Sequence, residues 1–549
     1  FNTSENEDAV LDGFTLDNQA SGTMTRGILI SGATPTIKNS IITGNTAGNT
    51  GADSSSNCYG GGGICIYNSV PTFDNVTIKA NSATNRHGCG MYIQGAGGGA
   101  TITNSTIGGT DSGDANNCSN GMGGAIYFTG STSGTLSISD SNIQYNAGYS
   151  NGGALYLSSI TGTTTITNST ILNNSSGNGY GGAIYSSSSP LTITNSNISN
   201  NIGSSSKTGG AIYMTGAAAT LTIESNSTLN NNTGASAGGA IYMTASGALS
   251  ISDSTVSSNS TTANGGGGIY LINITNTSTV TNTTISSNTT GVTGDGAGIY
   301  ASQAPLTITG GSITNNSGGT NRGGGGVWIG SGTASNNSIT GTTINSNTTG
   351  GMGGGGIYIQ GGTTTLTLSK VKLQGNAATA GGGGGIRIAS GTANITNTLI
   401  TGNRIANDWN YGGGIRNVGV LNLYFSTVAD NYAHYGGGLD CGGTENIYNS
   451  IIYGNQVSGG NTEIRGTTDT LYLTEISSGV DFTLESGATS STSTTDGDYH
   501  LQSTSNCIDT GDATNAPSED IEGNTRPTDI GGKGDGSDDY DKGAYEYVP

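Results

Sequence analysis

The chain has 549 residues, of which 32% are hydrophobic, 9% are charged and 99 are glycine, too little apolar material for a series of ordinary globular cores. Its formal charge of −20, with only 15 Lys and Arg, argues against nucleic acid or anionic lipid as a partner, because phosphate recognition needs clustered cations. No run of about 18 apolar residues is present, so no direct membrane insertion by a helix is expected.

Order therefore has to come from repetition. From "AVLDGFTLDNQAS" at 9–21 and "PTIKNSIITGNTA" at 35–47 onward, short apolar alternations separated by Gly, Asn and Ser predict strands and turns, with no room for a helix. Two glycines, an aliphatic residue and an aromatic one recur at steps of mostly 27–30 residues, as in "GGAIYMTG" at 209–216 and "GGAIYMTA" at 238–245. Each unit also contains a phrase like "LTITNS" at 191–196, so one period holds two or three short strands and forms one coil of a solenoid.

Strand side chains alternate between faces, which places Ile212 and Met214 inside and Tyr213 outside. The same rule places Leu191, Ile193 and Ile198 inside and Thr192 and Thr194 outside, with Asn-Ser as the turn between them. The paired glycines belong at the preceding corner, where positive φ and close stacking are needed. The outward aromatic position is filled by Tyr92, Tyr127, Tyr156, Tyr185, Tyr213, Tyr242, Tyr270, Tyr300, Trp328 and Tyr358. This stripe serves either mutual stacking or contact with a polysaccharide, a host surface or another copy of the chain. A third column, Asn45, Asn81, Asn146 and on to Asn455, is broken only in the coil of Ile107, where Thr110 stands. A polar residue kept at one corner predicts an internal amide ladder, each side chain bonding the coil above and below.

These phrases resemble the secreted bacterial surface proteins of the pectate-lyase-like superfamily. The expected fold is all-β: a single-stranded right-handed parallel β-helix of about 15 coils over residues 1–460, followed by a small irregular cap over 461–549, acidic and rich in Gly and Asp. The phrases "CIDTGD", "DIEGNTRP" and "DKGAYEY" near the end are similar to the choice-of-anchor type of C-terminal segment, which implies secretion and a cell-surface location. Six cysteines without a CxxC pair favour disulfides over metal. The sequence leaves fifteen pairings open; among them Cys441 with Cys507 would tie the cap to the coils, and Cys58, Cys89 and Cys118, at corresponding corners of neighbouring coils, offer another pair.

Polysaccharide lyases and hydrolases occupy this fold, and their chemistry needs paired carboxylates, with an Arg or Lys as base in a lyase. Between Gly121 and Thr320 the acids Asp140, Glu224, Asp253 and Asp295 lie on different coils and no histidine occurs. "RHGCG" at 86–90 is similar to a histidine-glycine motif of polygalacturonases but lacks its companion acids. One constellation does gather chemistry. Arg387, Arg416 and Asp440 follow one another in the outward column, and the corner loops beside them carry Asp408, Trp409, Tyr411, Tyr432, His434 and Tyr435. This is a candidate glycan site; alternatively, Arg416 pairs with Asp440 and the aromatics cover the cap junction. In the cap, Asp509, Asp512, Asp520, Glu522, Asp529 and Asp535 are candidate ligands for Ca2+, the alternative being an acidic surface held by Arg526, Lys533 and Lys542.

The expected function is a non-catalytic extracellular structural or adhesive protein, assembling with itself into a homo-oligomer, surface filament or layer. The first coil begins in a strand-like phrase whose unpaired backbone would template such stacking. A carbohydrate-active enzyme or glycan-binding module is the alternative.

Overall fold

A computed structural model describes residues 1, 5–17, 26–47, 58–330, 336–407, 410–459, 463–466, 470–472, 498–513, 515–530 and 540–548. They form two compact units, residues 1–263 with 267–276 and residues 264–266 with 277–549. Both are wound as parallel β-solenoid, about 15 turns in all. Among the described residues the one helical element is a short 3-10 turn at Ser112–Asp114, and no helix is long and apolar enough to cross a membrane.

One coil of the first unit illustrates the rest. Strands Ile212–Gly216, Leu221–Glu224 and Thr228–Asn230 contribute to a first, second and third face, and Thr233–Gly234 adds a short fourth strand. The next coil repeats them in parallel and in register: Ile212 pairs with Ile241, Tyr213 with Tyr242, Leu221 with Leu249 and Thr228 with Thr255. Like residues therefore lie on like residues. Ile212, Met214, Leu221, Ile223 and Leu229 are fully buried, each contributing about 1.5–3 kcal/mol by leaving water. Thr192 and Thr194 face outward, opposite the buried Leu191 and Ile193, as alternation requires.

The three corners have different chemistry. At the first, Gly209 has φ 76, and a Cβ on Gly210 would lie 2.1 Å from the carbonyl oxygen of Gly239 one coil on. At the second, Asn195 has φ 45, a conformation Asn tolerates, and Ser196 turns inward. Its hydroxyl accepts the backbone N–H of Ser169 at 3.0 Å and donates to the carbonyl of Thr194 at 2.8 Å. The same bonds recur at Ser105, Ser141 and Ser169, making a serine ladder not read from the sequence.

The third corner holds the asparagine ladder. Asn174 donates its N–H and Nδ2 to Oδ1 of Asn201, and Asn201 does the same to Asn232, at 2.9–3.1 Å. The second unit repeats this from Asn288 through Asn316, Asn347, Asn376, Asn403 and Asn431 to Asn455. The expected gap at Thr110 is corrected. The loop carrying Ser112–Asp114 is an insertion, after which Asn116 returns to the corner, accepting from Asn81 at 3.0 Å and donating to Asn146 at 2.9 Å.

In the second unit regular pairing runs past residue 460, with Asp440 opposite Arg465 and Ile447 opposite Leu471. Described residues of 498–513, 515–530 and 540–548 pack against the outside of the third face. Tyr499, Leu501, Cys507, Ile508, Ile521, Ala544 and Tyr545 cluster with Leu399, Ala429 and Ile451. Lys370 pairs with Glu519 at 2.6 Å, and Asn449 donates to Asp512 at 3.2 Å. The disulfides are Cys58–Cys65 and Cys89–Cys118. Cys441 and Cys507 remain thiols, so the tie between them is absent: Cys507 is buried in the cluster just described, while Cys441 ends a strand of the first face.

Candidate functional site

The outward aromatic residues stand in line because their strands pair in register. In the first unit Tyr92, Tyr127, Tyr156, Tyr185, Tyr213, Tyr242 and Tyr270 stack with centroids 4.7–5.4 Å apart and planes within 7°. His87 and Tyr180, from corner loops, add rings against Tyr127 and Tyr213. In the second unit Trp328 stacks on Tyr300 at 4.3 Å and faces Tyr358 at 6.5 Å, and Trp328 and Tyr358 are buried. The ring faces cover one another, so the column presents edges and hydroxyls outward and not the open faces on which a sugar would stack. Burial penalises the phenolates. It pushes Tyr127 up to about 12, helped by Tyr156 and opposed by a hydrogen bond to Thr129, and raises Tyr92, Tyr156, Tyr185 and Tyr213 for the same reason. Cys65 takes the column position opposite Tyr92, so the Cys58–Cys65 disulfide packs against that ring.

The "RHGCG" stretch is also absorbed by structure. Nδ1 of His87 accepts the N–H of Met122 at 3.1 Å, burial and then Arg86 lower the histidine's pKa, and Cys89 is in a disulfide.

The second constellation lies in the second unit. Arg387, Arg416, Asp440 and Arg465 are paired in register on four successive strands of the first face. Asp440 accepts a hydrogen bond from Nη1 of Arg465 at 2.7 Å on Oδ1 and is ion-paired through Oδ2 with Nε of Arg416 at 3.2 Å, with its side chain only 6% exposed. The guanidinium of Arg465 lies 3.9 Å from the ring centre of Tyr411, which stacks on Tyr435 at 5.7 Å. His434 meets the edge of Tyr435 and shares a hydrogen bond with Ser458 at 2.9 Å. Tyr432 sits apart from this strip, opposite Arg404 on the short strands of the third corner. Asp408 and Trp409 lie outside the described residues. Arg465 was not singled out in the sequence, although "EIR" at 463–465 repeats the Ile-Arg pair of 386–387 and 415–416.

The acidic residues of 498–548 are held separately. Asp520 is buried and accepts the N–H groups of Glu522, Asn524 and Glu546 and the amide of Asn524 at 2.8–3.0 Å. Burial opposes its charge, but these donors prevail and hold its carboxyl below the usual range. Asp509 accepts from Ile530, Asp512 from Asn449 and Glu522 from His500, while Asp529 is exposed. Asp535 and Lys533 lie outside the described residues. Arg526 is buried, donating to the carbonyls of Asp541 and Gly543 at 2.9 and 2.8 Å, and Lys542 is buried as well. Among the described residues no group of three His, Cys, Asp or Glu is arranged to hold a metal ion.

Residues 155–344 match the family model described as right handed beta helix region. The fold is a parallel β-helix, and this match supports right-handed winding. No curated protein and no solved structure matches the chain.

Proposed function

We propose that this β-helix is a non-catalytic extracellular protein, structural or adhesive, which assembles with copies of itself into a surface filament or layer. Asp440 carries the reading. It is the acid best surrounded by candidate binding groups, and each of its oxygens faces a permanently charged guanidinium. Both oxygens are thereby engaged by neighbouring side chains, which suits a structural ion-pair centre. The acids Asp140, Glu224 and Asp295 bond to Asn168, Thr194 and Gly323 on their own neighbouring coils. Two disulfides are compatible with an oxidising compartment outside the cell. Self-assembly draws support from the outward threonines of the second face, such as Thr165, Thr167, Thr192 and Thr194, which form a regular polar surface able to pack on its own copy. A polysaccharide or a host surface is the adhesive partner in this reading.

The test is incubation of the full chain with a panel of neutral and acidic polysaccharides, following reducing ends and ultraviolet-absorbing unsaturated products. None should accumulate, and light scattering with electron microscopy should reveal assemblies larger than a monomer. Product that disappears in Asp440→Asn would overturn the non-catalytic reading.

A further inference from the structure

The residue after the aliphatic one is aromatic along most of the column, then changes to Arg387, Arg416, Asp440 and Arg465 on successive strands. Parallel strands lie about 4.8 Å apart, so three guanidinium groups and one carboxylate share a narrow strip. One arginine would suffice to neutralise Asp440. The strip holds three, in a chain whose net charge is −20.

Within the strip Asp440 is ion-paired with Arg416 and accepts a hydrogen bond from Arg465. Arg387 points its Nη1 at the carbonyl oxygens of Met352 and Gly381, and Nη1 of Arg416 reaches the same Gly381 oxygen at 2.6 Å. Two cations thus converge on one neutral acceptor. Aromatic rings hold these groups in place: Arg387 lies 5.7 Å from the centre of Tyr358, and Arg465 lies 3.9 Å from Tyr411 and 5.9 Å from Tyr435. A guanidinium held against a ring keeps its donor fork pre-organised and loses little freedom when it binds. Each arginine carries five N–H donors, so the bonds described leave donors for a ligand. The side chains of Arg416 and Arg465 are 23% and 45% exposed. Glu463, close by, turns its carboxylate inward to Asn455.

We infer that this arginine strip binds the oxyanion groups of an acidic polysaccharide, as sulfate esters or carboxylates. The inference rests on the extracellular, adhesive reading above and gives it a ligand class. A strip of charges running along the stacking direction suits an extended chain with repeated anions. The extracellular reading favours a polysaccharide over a nucleic acid as that chain.

The test is affinity electrophoresis of the full chain at low ionic strength in gels containing a sulfated polysaccharide, a polyuronate, a neutral glucan or single-stranded DNA. One or both acidic polysaccharides should retard the protein, the gel that does so identifying the substituent. The neutral glucan should not, and added salt should abolish the effect. Arg465→Gln and Arg387→Gln should each weaken retardation by about tenfold while circular dichroism stays unchanged, and Lys38→Gln, in the first unit beside Asp12, should leave it intact. Absence of retardation by both acidic polysaccharides, undiminished retardation in both strip variants, or stronger retardation by DNA would overturn the inference. Cleavage products would sink the non-catalytic reading and leave this one standing; lost retardation without cleavage would sink this one alone.

Discussion

Asn455 donates both its backbone N–H and its side-chain amide to one carboxylate oxygen of Glu463, at 3.0 and 2.7 Å. Each earlier rung is an asparagine that accepts from one coil and donates to another. A carboxylate can only accept, so the ladder of the second unit ends at Glu463. Burial raises the pKa of this carboxyl; the Asn455 donors oppose the rise and the charge of Asp430 adds to it.

Glu463→Gln should therefore be tolerated, since its amide oxygen accepts the same two bonds. Glu463→Ala leaves two donors of Asn455 unmet, at about 1–3 kcal/mol each, and hydrogen exchange across residues 431–455 should accelerate. The sign of the pH effect follows from the raised pKa. The stabilising contribution is complete below the unfolded pKa and is lost as pH rises through the folded one. Exchange in the last coil should quicken as pH rises above the ordinary glutamate range, after correction for intrinsic rates. Glu463→Gln should remove that step, and its persistence in the variant would exclude Glu463 as the source.

Within the first unit, Asn201 accepts two bonds from Asn174 and donates to Asn232 and to the carbonyls of Ile171 and Ser199. Asn201→Ala strands buried groups on both neighbouring coils and should cost about 2–5 kcal/mol. In a solenoid the loss is local. Exchange protection should fall in the coils containing Asn174 and Asn232 and hold farther away; uniform loss would contradict a ladder made of nearest-neighbour bonds.

The coil was legible because its signals repeat. Ile212 and Met214 alternate with Tyr213, and an identical phrase 29 residues on pairs with it in register. Asn116 was missed because an insertion displaced it from the spacing that marks the other rungs. Ser196 was read as a turn former, since a serine whose hydroxyl joins a ladder looks the same in sequence as one that faces water. At the arginine strip, Arg416 and Asp440 could be placed together by column, but Arg465 lay in a stretch where the period had faded. The docking of 498–548 depends on contacts between residues far apart in the chain. Its trace in the sequence is the change of outward residues on the third face from Thr343 and Asn345 to Leu399, Thr427 and Ile451.

Alkaline titration should separate the stacked tyrosines from the exposed ones. Burial raises the pKa values of Tyr92, Tyr127, Tyr156, Tyr185 and Tyr213, to about 12 at Tyr127, so folding favours their protonated forms. Their contribution holds below the unfolded value of about 10 and is lost as pH rises toward 12. Absorbance of phenolate near 295 nm should rise in two phases, the second coinciding with unfolding of the first unit by circular dichroism. A single phase near the ordinary tyrosine value would contradict the buried stack.

Cys89 and Cys118 join adjacent coils across 29 residues of chain. In the chain-entropy account a closed loop of that size stabilises by about 3–4 kcal/mol. Cys89→Ser with Cys118→Ser should lower protection in the coils of Met91 and Ile126, and leave the coils of the second unit at their original protection. The Cys58–Cys65 bridge closes a loop of only 7 residues and should contribute less.

Ile451 tests the docked segment directly. Its side chain is 1% exposed, on the outer side of the third face, where it joins Tyr499, Leu501 and Ala544 in one cluster. The inward residue of that strand is Ile452, also fully buried. Ile451→Asp should place a charge beneath the segment at a cost on the order of 4 kcal/mol, while the coil interior keeps its packing. Limited proteolysis should then cut within 498–548 under conditions that leave the native protein whole, and the coils should still melt at nearly the original temperature. Ile452→Asp should instead unfold the coil itself. If both substitutions behave alike, the segment and the coils form one cooperative structure, and the segment is no separately docked cover.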